Sequence, residues 1–153
     1  MLAQYRRLLA FDHWASLETL AAIEPVLDRA PNALGWMNHL AGAKRLWFAR
    51  VNSGIAPLAI WPALSLAGCR AQMAAAQEEW DRHLEQLTDA DLSRLFAYTN
   101  TRSEAFTSSL GDIVMHLVLH GQHHRGQAMI EIRAVGGKPP AIDFIHASRL
   151  GLV

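Results

Sequence analysis

The stretch Asp112–Ile132, DIVMHLVLHGQHHRGQAMIEI, is an apolar run that contains four of the chain's eight histidines. These four are His116, His120, His123 and His124. In a helix they lie within roughly a quarter to a third of a turn of one another. One face of the predicted helix therefore carries several imidazoles, which are ligands that suit divalent transition metals. This face is the best indication of function in the sequence.

The borders of this helix are marked by residues that start and stop helices. Ser109 is followed three residues later by Asp112, which resembles a capping arrangement with an acid in the first turn. Gly136-Gly137, followed by Pro139-Pro140, predicts the end of the helix. We expect the remaining residues, 141–153, to form a short terminal helix or a tail.

The rest of the chain is typical of helices separated by proline or glycine. Apolar residues recur at three- and four-residue steps, as amphipathic helices require. The predicted segments are helices over 2–28, 34–52 and 66–87, a loop over 53–65 and a small hairpin within 88–108. Because each apolar stripe must be buried against others, we expect an all-α fold. It would be a four-helix bundle with a short C-terminal helix, in a single domain over 1–153.

Composition limits the classes of partner. The chain has 14 Lys and Arg residues against 14 Asp and Glu residues, and this zero formal charge provides no field to hold nucleic acid or an anionic membrane. The single cysteine, Cys69, excludes a disulfide framework and fits a reducing compartment. The longest apolar run, Ile55–Cys69, is interrupted by Pro57 and Pro62. We therefore expect a cytoplasmic protein without a membrane-spanning segment.

Histidine spacing suggests how a metal would be held. Two histidines four residues apart lie one helical turn apart, close enough for both rings to bind one ion. His120 and His124 have this spacing, and so do His116 and His120. Either pair needs a third ligand from another helix. His39 is the best candidate because it shares the inward side of its helix with Trp36, and an inward histidine needs a polar partner.

Several segments resemble the DinB/YfiT-like metalloenzyme superfamily. Met1–Leu20 (MLAQYRRLLAFDHWASLETL) is similar to its opening helix, and His39–Trp47 is similar to its second-helix histidine segment. The closest similarity is His116–Gln127 (HLVLHGQHHRGQ), which is followed by Gly136–Pro140 and Asp143. The resemblance covers nearly the whole chain. It implies a four-helix, up-down-down-up bundle, often dimeric, with a metal ion held by three histidines.

The resemblance also assigns roles to the histidines. Carried over position by position, it implies that His39, His120 and His124 are the metal ligands. His116 then either supports a metal ligand without binding the metal or faces the substrate. His123 is an additional histidine beyond the family triad. Either of these two could move a proton during a reaction.

Other residues are given structural or supporting roles. We expect His13, His83 and His146 to be structural. Ser16 stands where the family often has asparagine after its Trp-Ala step, a departure that affects a local helix contact. Gly126 is predicted to let another helix approach closely.

The helical pattern places four polar residues near the predicted metal site. Asp12 interrupts the apolar stripe of the first helix, and Glu131 follows His124 by seven residues. Either carboxylate could orient a ligand imidazole, as metal sites usually require. Arg125 and Gln127 are candidates for substrate contacts or for hydrogen bonds within the bundle.

Spacing also excludes some chemistry. A zinc protease helix has glutamate directly after its first histidine, but Gly121 follows His120 here. The sequence contains neither a glycine-rich phosphate loop nor a G-x-S-x-G elbow. Three neutral imidazoles would leave an open coordination position on Zn²⁺ or Ni²⁺. A water or a thiol bound there would be acidified near neutral pH.

Three classes of function follow. The resemblance implies a metal-dependent thiol transferase or isomerase that acts on a small molecule, with nickel or zinc and a low-molecular-weight thiol as cofactors. A non-enzymatic metal-binding stress-response protein, acting as a homodimer, is the alternative. A third class is an interaction module whose apolar loop Ile55–Ala67, with Trp61, packs in a dimer.

Overall fold

The computed structural model describes residues 1–100 and 102–153 and is mainly helical. Its elements are α1 (Leu2–Ile23), continued by a 3₁₀ turn (Glu24–Val26), α2 (Pro31–Val51), α3 (Leu66–Glu85), a second 3₁₀ turn (Asp89–Ser93), β1 (Leu95–Thr99), β2 (Ala105–Ser109), α4 (Leu110–Ala134) and α5 (Phe144–Arg149). The predicted helices and the predicted C-terminal helix are therefore confirmed, with shifts of a few residues at their ends.

Two of the helix starts have clear chemical causes. The Ser109 hydroxyl accepts a hydrogen bond from the Asp112 amide at 3.1 Å, so the predicted cap of α4 is present. The start of α2 was predicted three residues too late. Pro31 opens this helix, because its fixed φ angle suits the first turn, where its missing N–H has no partner to lose.

The predicted hairpin between α3 and α4 is confirmed, and it adds a small two-stranded sheet to the mainly helical fold. Strands β1 and β2 pair antiparallel, with Phe96 opposite Ser108 and Tyr98 opposite Phe106. Leu110, the first residue of α4, donates its amide to the carbonyl of Arg94 at 3.0 Å. The small sheet is thus attached directly to the start of the histidine helix.

The hydrophobic core has two main clusters at opposite ends of the helices. Helices α1 and α2 each pack against both α3 and α4. The first cluster joins the beginnings of α1 and α4 to the ends of α2 and α3, and includes Leu2, Val51, Leu84 and Leu110. The second joins the other ends, and includes Ile23, Ala33, Cys69 and Ile132.

A buried ionic network ties three helices together and corrects the expectation for Asp12. Its carboxylate pairs with Lys44 of α2 at 2.5 Å and with Arg125 of α4. All three side chains are almost fully buried. Burial acts to raise the pKa of Asp12, but the charges of Lys44 and Arg125 overcome it and hold this pKa below its usual range. Asp12 therefore balances two buried cations instead of orienting a ligand imidazole.

The close approach of α1 to α4 occurs at Gly121, and not at Gly126 as predicted. A Cβ atom at Gly121 would overlap the Asp12 carboxylate, whereas a Cβ at Gly126 would meet nothing within 4 Å. Ser16 also lies here, donating to the Asp12 carbonyl at 2.7 Å and accepting from Arg125 at 3.1 Å. The missing glutamate after His120 is thus explained by packing space. None of the described helices is both long enough and apolar enough to cross a membrane.

Candidate metal centre

Three histidines from two helices converge between α2 and α4. His39 lies on α2, while His120 and His124 lie one turn apart on α4. The Nε2 atom of His120 is 3.2 Å from Nε2 of His39 and 3.1 Å from Nε2 of His124. One ring nitrogen from each of the three residues lies within 4.8 Å of the others, so this group could hold a metal ion.

The hydrogen bonds behind two of these rings set their tautomers. Nδ1 of His39 lies 3.0 Å from the carbonyl oxygen of Ile60, and Nδ1 of His124 lies 2.5 Å from Oε1 of Gln127. Since both oxygens are acceptors, each Nδ1 carries the proton and donates it. The Nε2 atom of each ring then presents a lone pair to the centre, as a metal ligand does.

These tautomers leave the centre one donor short. His120 Nε2 faces two acceptor nitrogens, but a neutral ring has at most one proton at this atom and can satisfy only one of them. The Nδ1 atom of His120 is buried and has no hydrogen-bond partner in the described part of the chain. A cation shared by the three Nε2 lone pairs would satisfy all of them, so the donor set fits a divalent transition metal.

The protonation state suits ligation as well. Burial lowers the pKa of His39 and of His124. Burial, followed by repulsion from the neighbouring histidines, lowers the pKa of His120 to about 4. The three imidazoles are consequently neutral near pH 7, which is the form that binds metals.

Two tryptophans cover the ligand candidates. Trp61 stacks on His39 with ring centroids 3.9 Å apart, and Trp36 stacks on His124 with centroids 5.3 Å apart. The tryptophans also meet each other edge to face at 5.6 Å. Trp61 belongs to the apolar loop that was expected to pack in a dimer. Although 57% of it is exposed, its ring packs against a histidine of its own chain.

Gly42 positions the loop that carries Trp61, and sequence reasoning did not identify it. A Cβ atom at Gly42 would lie 2.5 Å from the carbonyl oxygen of Ala59 and 2.7 Å from that of Ile60. The loop backbone can therefore rest on α2 close to His39 and present the Ile60 carbonyl to its ring. The only signal in the sequence was a glycine inside a predicted helix, where glycine costs about 1 kcal/mol relative to alanine.

The groups that orient the candidate metal ligands are not the carboxylates that were predicted to do so. Gln127 and the Ile60 carbonyl orient His124 and His39. Glu131 is half-buried and makes no hydrogen bond or ion pair within the described residues. Neither it nor Asp12 orients an imidazole of the triad.

The other two histidines of the α4 cluster lie beside the triad and are exposed. The ring of His116 is 5.1 Å from that of His120 and 5.5 Å from that of Trp47. The ring of His123 is 4.9 Å from that of His124. The triad therefore pairs His120 with His124, and His116 takes a flanking position.

Two of the histidines expected to be structural, His83 and His146, pack against aromatic rings outside the triad. His83 packs edge to face against Phe48 and Trp80. His146 lies beside Trp14 on α1. Both positions are typical of histidines packed against aromatic rings.

The fold and the centre together define a helical protein with a candidate three-histidine metal site. The DinB family model matches residues 16–150, nearly the whole chain. The chain belongs to the DinB family. No curated protein matches it, and no solved structure does.

Proposed function

We propose that the chain is a metal-dependent enzyme that holds nickel or zinc on His39, His120 and His124. The convergence of three Nε2 atoms that a single proton cannot satisfy carries this proposal. When bound, a metal with three protein ligands keeps an open position and acidifies a thiol or a water there.

The flanking residues support chemistry at this centre. Trp36 and Trp61 shield the ligand rings from water, which strengthens electrostatic interactions at the centre. His116 and His123 are exposed beside the triad, so either can exchange a proton between a reacting group and solvent. We assign proton transfer to one of these two residues.

A low-molecular-weight thiol is the cofactor that we propose, in an S-transferase or isomerase reaction on a small molecule. The chain's own thiol is unsuited to this chemistry. Cys69 is fully buried in the second core cluster, and burial raises its pKa to about 12. The thiolate would therefore have to come from a bound ligand.

One observation favours the alternative, a non-enzymatic metal-binding stress-response protein. Only 8% of His39 and 8% of His124 is exposed, so a large part of the centre is covered. Sealed centres are typical of structural metals. The two functions differ in whether a ligand can reach the metal.

The core clusters support an up-down-down-up bundle within a single domain. The first cluster contains the beginnings of α1 and α4 and the ends of α2 and α3, and this supports one direction for α1 and α4 and the opposite direction for the other two helices. We also propose a homodimer, because exposed Leu119 and Ile130 flank the open Gly126 on α4.

A cytoplasmic location is proposed from the free, buried Cys69.

The metal content of untagged protein tests the ligand set. We expect one divalent ion per chain in the parent protein and a loss of most of it in His39→Ala, His120→Ala and His124→Ala. His146→Ala is the matched control, since its ring lies beside Trp14 and away from the triad. Full metal content in all three triad variants would refute the proposed centre.

A second measurement separates the enzyme from the binding protein. Thiols are screened with generic electrophiles, and the rate is compared between the metal-loaded parent and His120→Ala. We expect a faster reaction in the parent. If the metal-loaded parent reacts no faster than His120→Ala with any of the thiols, the result would favour the binding protein.

A further inference from the structure

A cationic cleft lies beyond the candidate metal centre, toward the hairpin. The guanidinium of Arg50, near the end of α2, lies 4.6 Å from the ring centroid of Trp47 and 4.7 Å from that of Tyr98 on β1. Its Nη2 donates to the Thr99 carbonyl at 2.7 Å. Within residues 1–100 and 102–153, no carboxylate lies within ion-pair distance of it. Arg50 is thus a charge held in place without an anionic partner.

The held guanidinium borders open space. A cavity of about 540 Å³ lies between the end of α2, the following loop and β1, and Arg50, Ile60 and Tyr98 contribute to its walls. The rings of Trp47 and Tyr98 lie against the guanidinium, and the Thr99 carbonyl accepts from one of its donors. The remaining N–H groups of this planar fork suit the two oxygens of a carboxylate.

The cleft lies on the same side of α2 as the candidate metal centre. Arg50 follows His39 by eleven residues, close to three full turns, so the two lie on the same face about 16 Å apart along the axis. A continuous row of rings links them, since Trp47 contacts both Tyr98 and His116, and His116 contacts His120. The same Ile60 that borders the cavity orients His39 through its carbonyl.

We propose that this cleft binds the carboxylate of a small peptide-like thiol whose sulfur lies at the metal centre. The thiol end of this assignment rests on the proposed function, whereas the carboxylate end rests on Arg50 alone. Because Arg50 folds back over Trp47, the two ends of the ligand are about 11 to 16 Å apart, which is about three to five extended residues. The ligand class is therefore a thiol peptide of roughly this length with a free carboxylate.

A matched pair of ligands tests the cleft. The probes are N-acetyl-Cys-Gly-Gly with a free C-terminal carboxylate and the same peptide as its C-terminal amide. Calorimetry on the metal-loaded parent should show the acid binding about tenfold more tightly or better, because a charge-assisted hydrogen bond is lost in the amide. Equal binding of the two peptides would overturn the proposal without any variant being made.

Variants locate the effect on Arg50. Arg50→Gln should remove the preference for the acid, and Arg50→Lys should keep only part of it. Arg102→Gln is the matched control, because Arg102 is an exposed arginine at the hairpin turn that pairs with Glu104. Circular dichroism checks that each variant is folded. If Arg50→Gln is unfolded, Arg50→Lys decides; a full preference for the acid in a folded Arg50 variant would overturn the assignment.

Two further arms separate the carboxylate from other anions and the cleft from the metal centre. Acetate should displace the acid peptide better than inorganic phosphate at the same concentration, and the reverse order would overturn the carboxylate class. The serine analogue, N-acetyl-Ser-Gly-Gly, should retain a preference for acid over amide even in metal-free protein. If the protein binds no metal but keeps this preference, only the proposed metal centre is refuted. If it binds metal but shows no preference for the acid, only the cleft is refuted.

Discussion

Trp61 stacks on His39 with ring centroids 3.9 Å apart and ring planes inclined by 14°. The tryptophan comes from the loop between α2 and α3, and the histidine comes from α2. This contact joins a surface loop to a candidate metal ligand. The loop therefore helps to hold the imidazole that its own Ile60 carbonyl orients.

Removing this ring should loosen the bound metal. We expect Trp61→Ala to increase metal dissociation about three- to tenfold, since an aromatic stack contributes about 0.5–1.5 kcal/mol. Trp61→Phe should release the metal at close to the parent rate because it keeps a ring over His39. Stopped-flow transfer of the metal to a chelator measures the rate, and an unchanged rate in Trp61→Ala would contradict the prediction.

Gly42→Ala should weaken metal binding from a position outside the ligand set. Its new methyl group would collide with the carbonyls of Ala59 and Ile60, and the loop would have to move away from His39. We expect the metal affinity to fall about ten- to a hundredfold, as is usual when the partner that orients a ligand is lost. Competition with a chelator gives the affinity.

Gly35→Ala provides the control on the same helix. A Cβ atom there would meet nothing within 4 Å, and alanine favours the helix by about 1 kcal/mol. This variant should keep its metal affinity and melt at a higher temperature than the parent. Equal metal affinities in Gly35→Ala and Gly42→Ala would refute the positioning role of Gly42.

Asp12→Asn should destabilise the fold while leaving the metal centre occupied. The substitution leaves the buried cations Lys44 and Arg125 without their shared anion, a change that costs about 3–5 kcal/mol. Glu131→Gln is the control, with an expected change within about 0.5 kcal/mol. Urea unfolding measures both, and a parent-like midpoint for Asp12→Asn would contradict the network's contribution.

The metal-free protein should become less stable on acidification in a defined range. The pKa of His120 is about 4 in the folded chain against an ordinary value of 6.5. Between these values the unfolded chain binds more protons, so the free energy of unfolding falls as the pH decreases from about 6.5 to about 4. Urea titrations at several pH values test this. His120→Gln should show a shallower fall, and an equally steep fall would assign the effect to other groups.

Cys69 should be unreactive in the folded protein. It is completely buried, and burial raises its pKa to about 12, so almost no thiolate is present near neutral pH. A disulfide reagent that releases a coloured thiolate should react with less than about one-tenth of the protein at pH 8 before denaturation and with one thiol per chain after it. Rapid reaction of the native protein would undermine the argument that the thiol must come from a ligand.

Local patterns were sufficient to predict the elements of the fold. The cap at Ser109, the hairpin around Phe96 and Phe106, and the helical runs depend on residues within a few positions of one another, and each is present. The candidate triad was also predicted. The inward position of His39 on its helix made it the best third ligand, and the family resemblance chose His120 and His124 from two histidine pairs with the same helical spacing. Its binding of a metal stays a prediction until the metal is measured.

The sequence by itself determined where the helices and the hairpin form and which face of α4 carries imidazoles, because these depend on the periodicity of neighbouring residues. Only the tertiary structure decided that Asp12 pairs with Lys44 and Arg125, and that Gly42 seats the loop behind His39. Both arrangements depend on how separate elements pack. Spacing along the chain carries no information about which buried charge meets which, or where two backbones can touch.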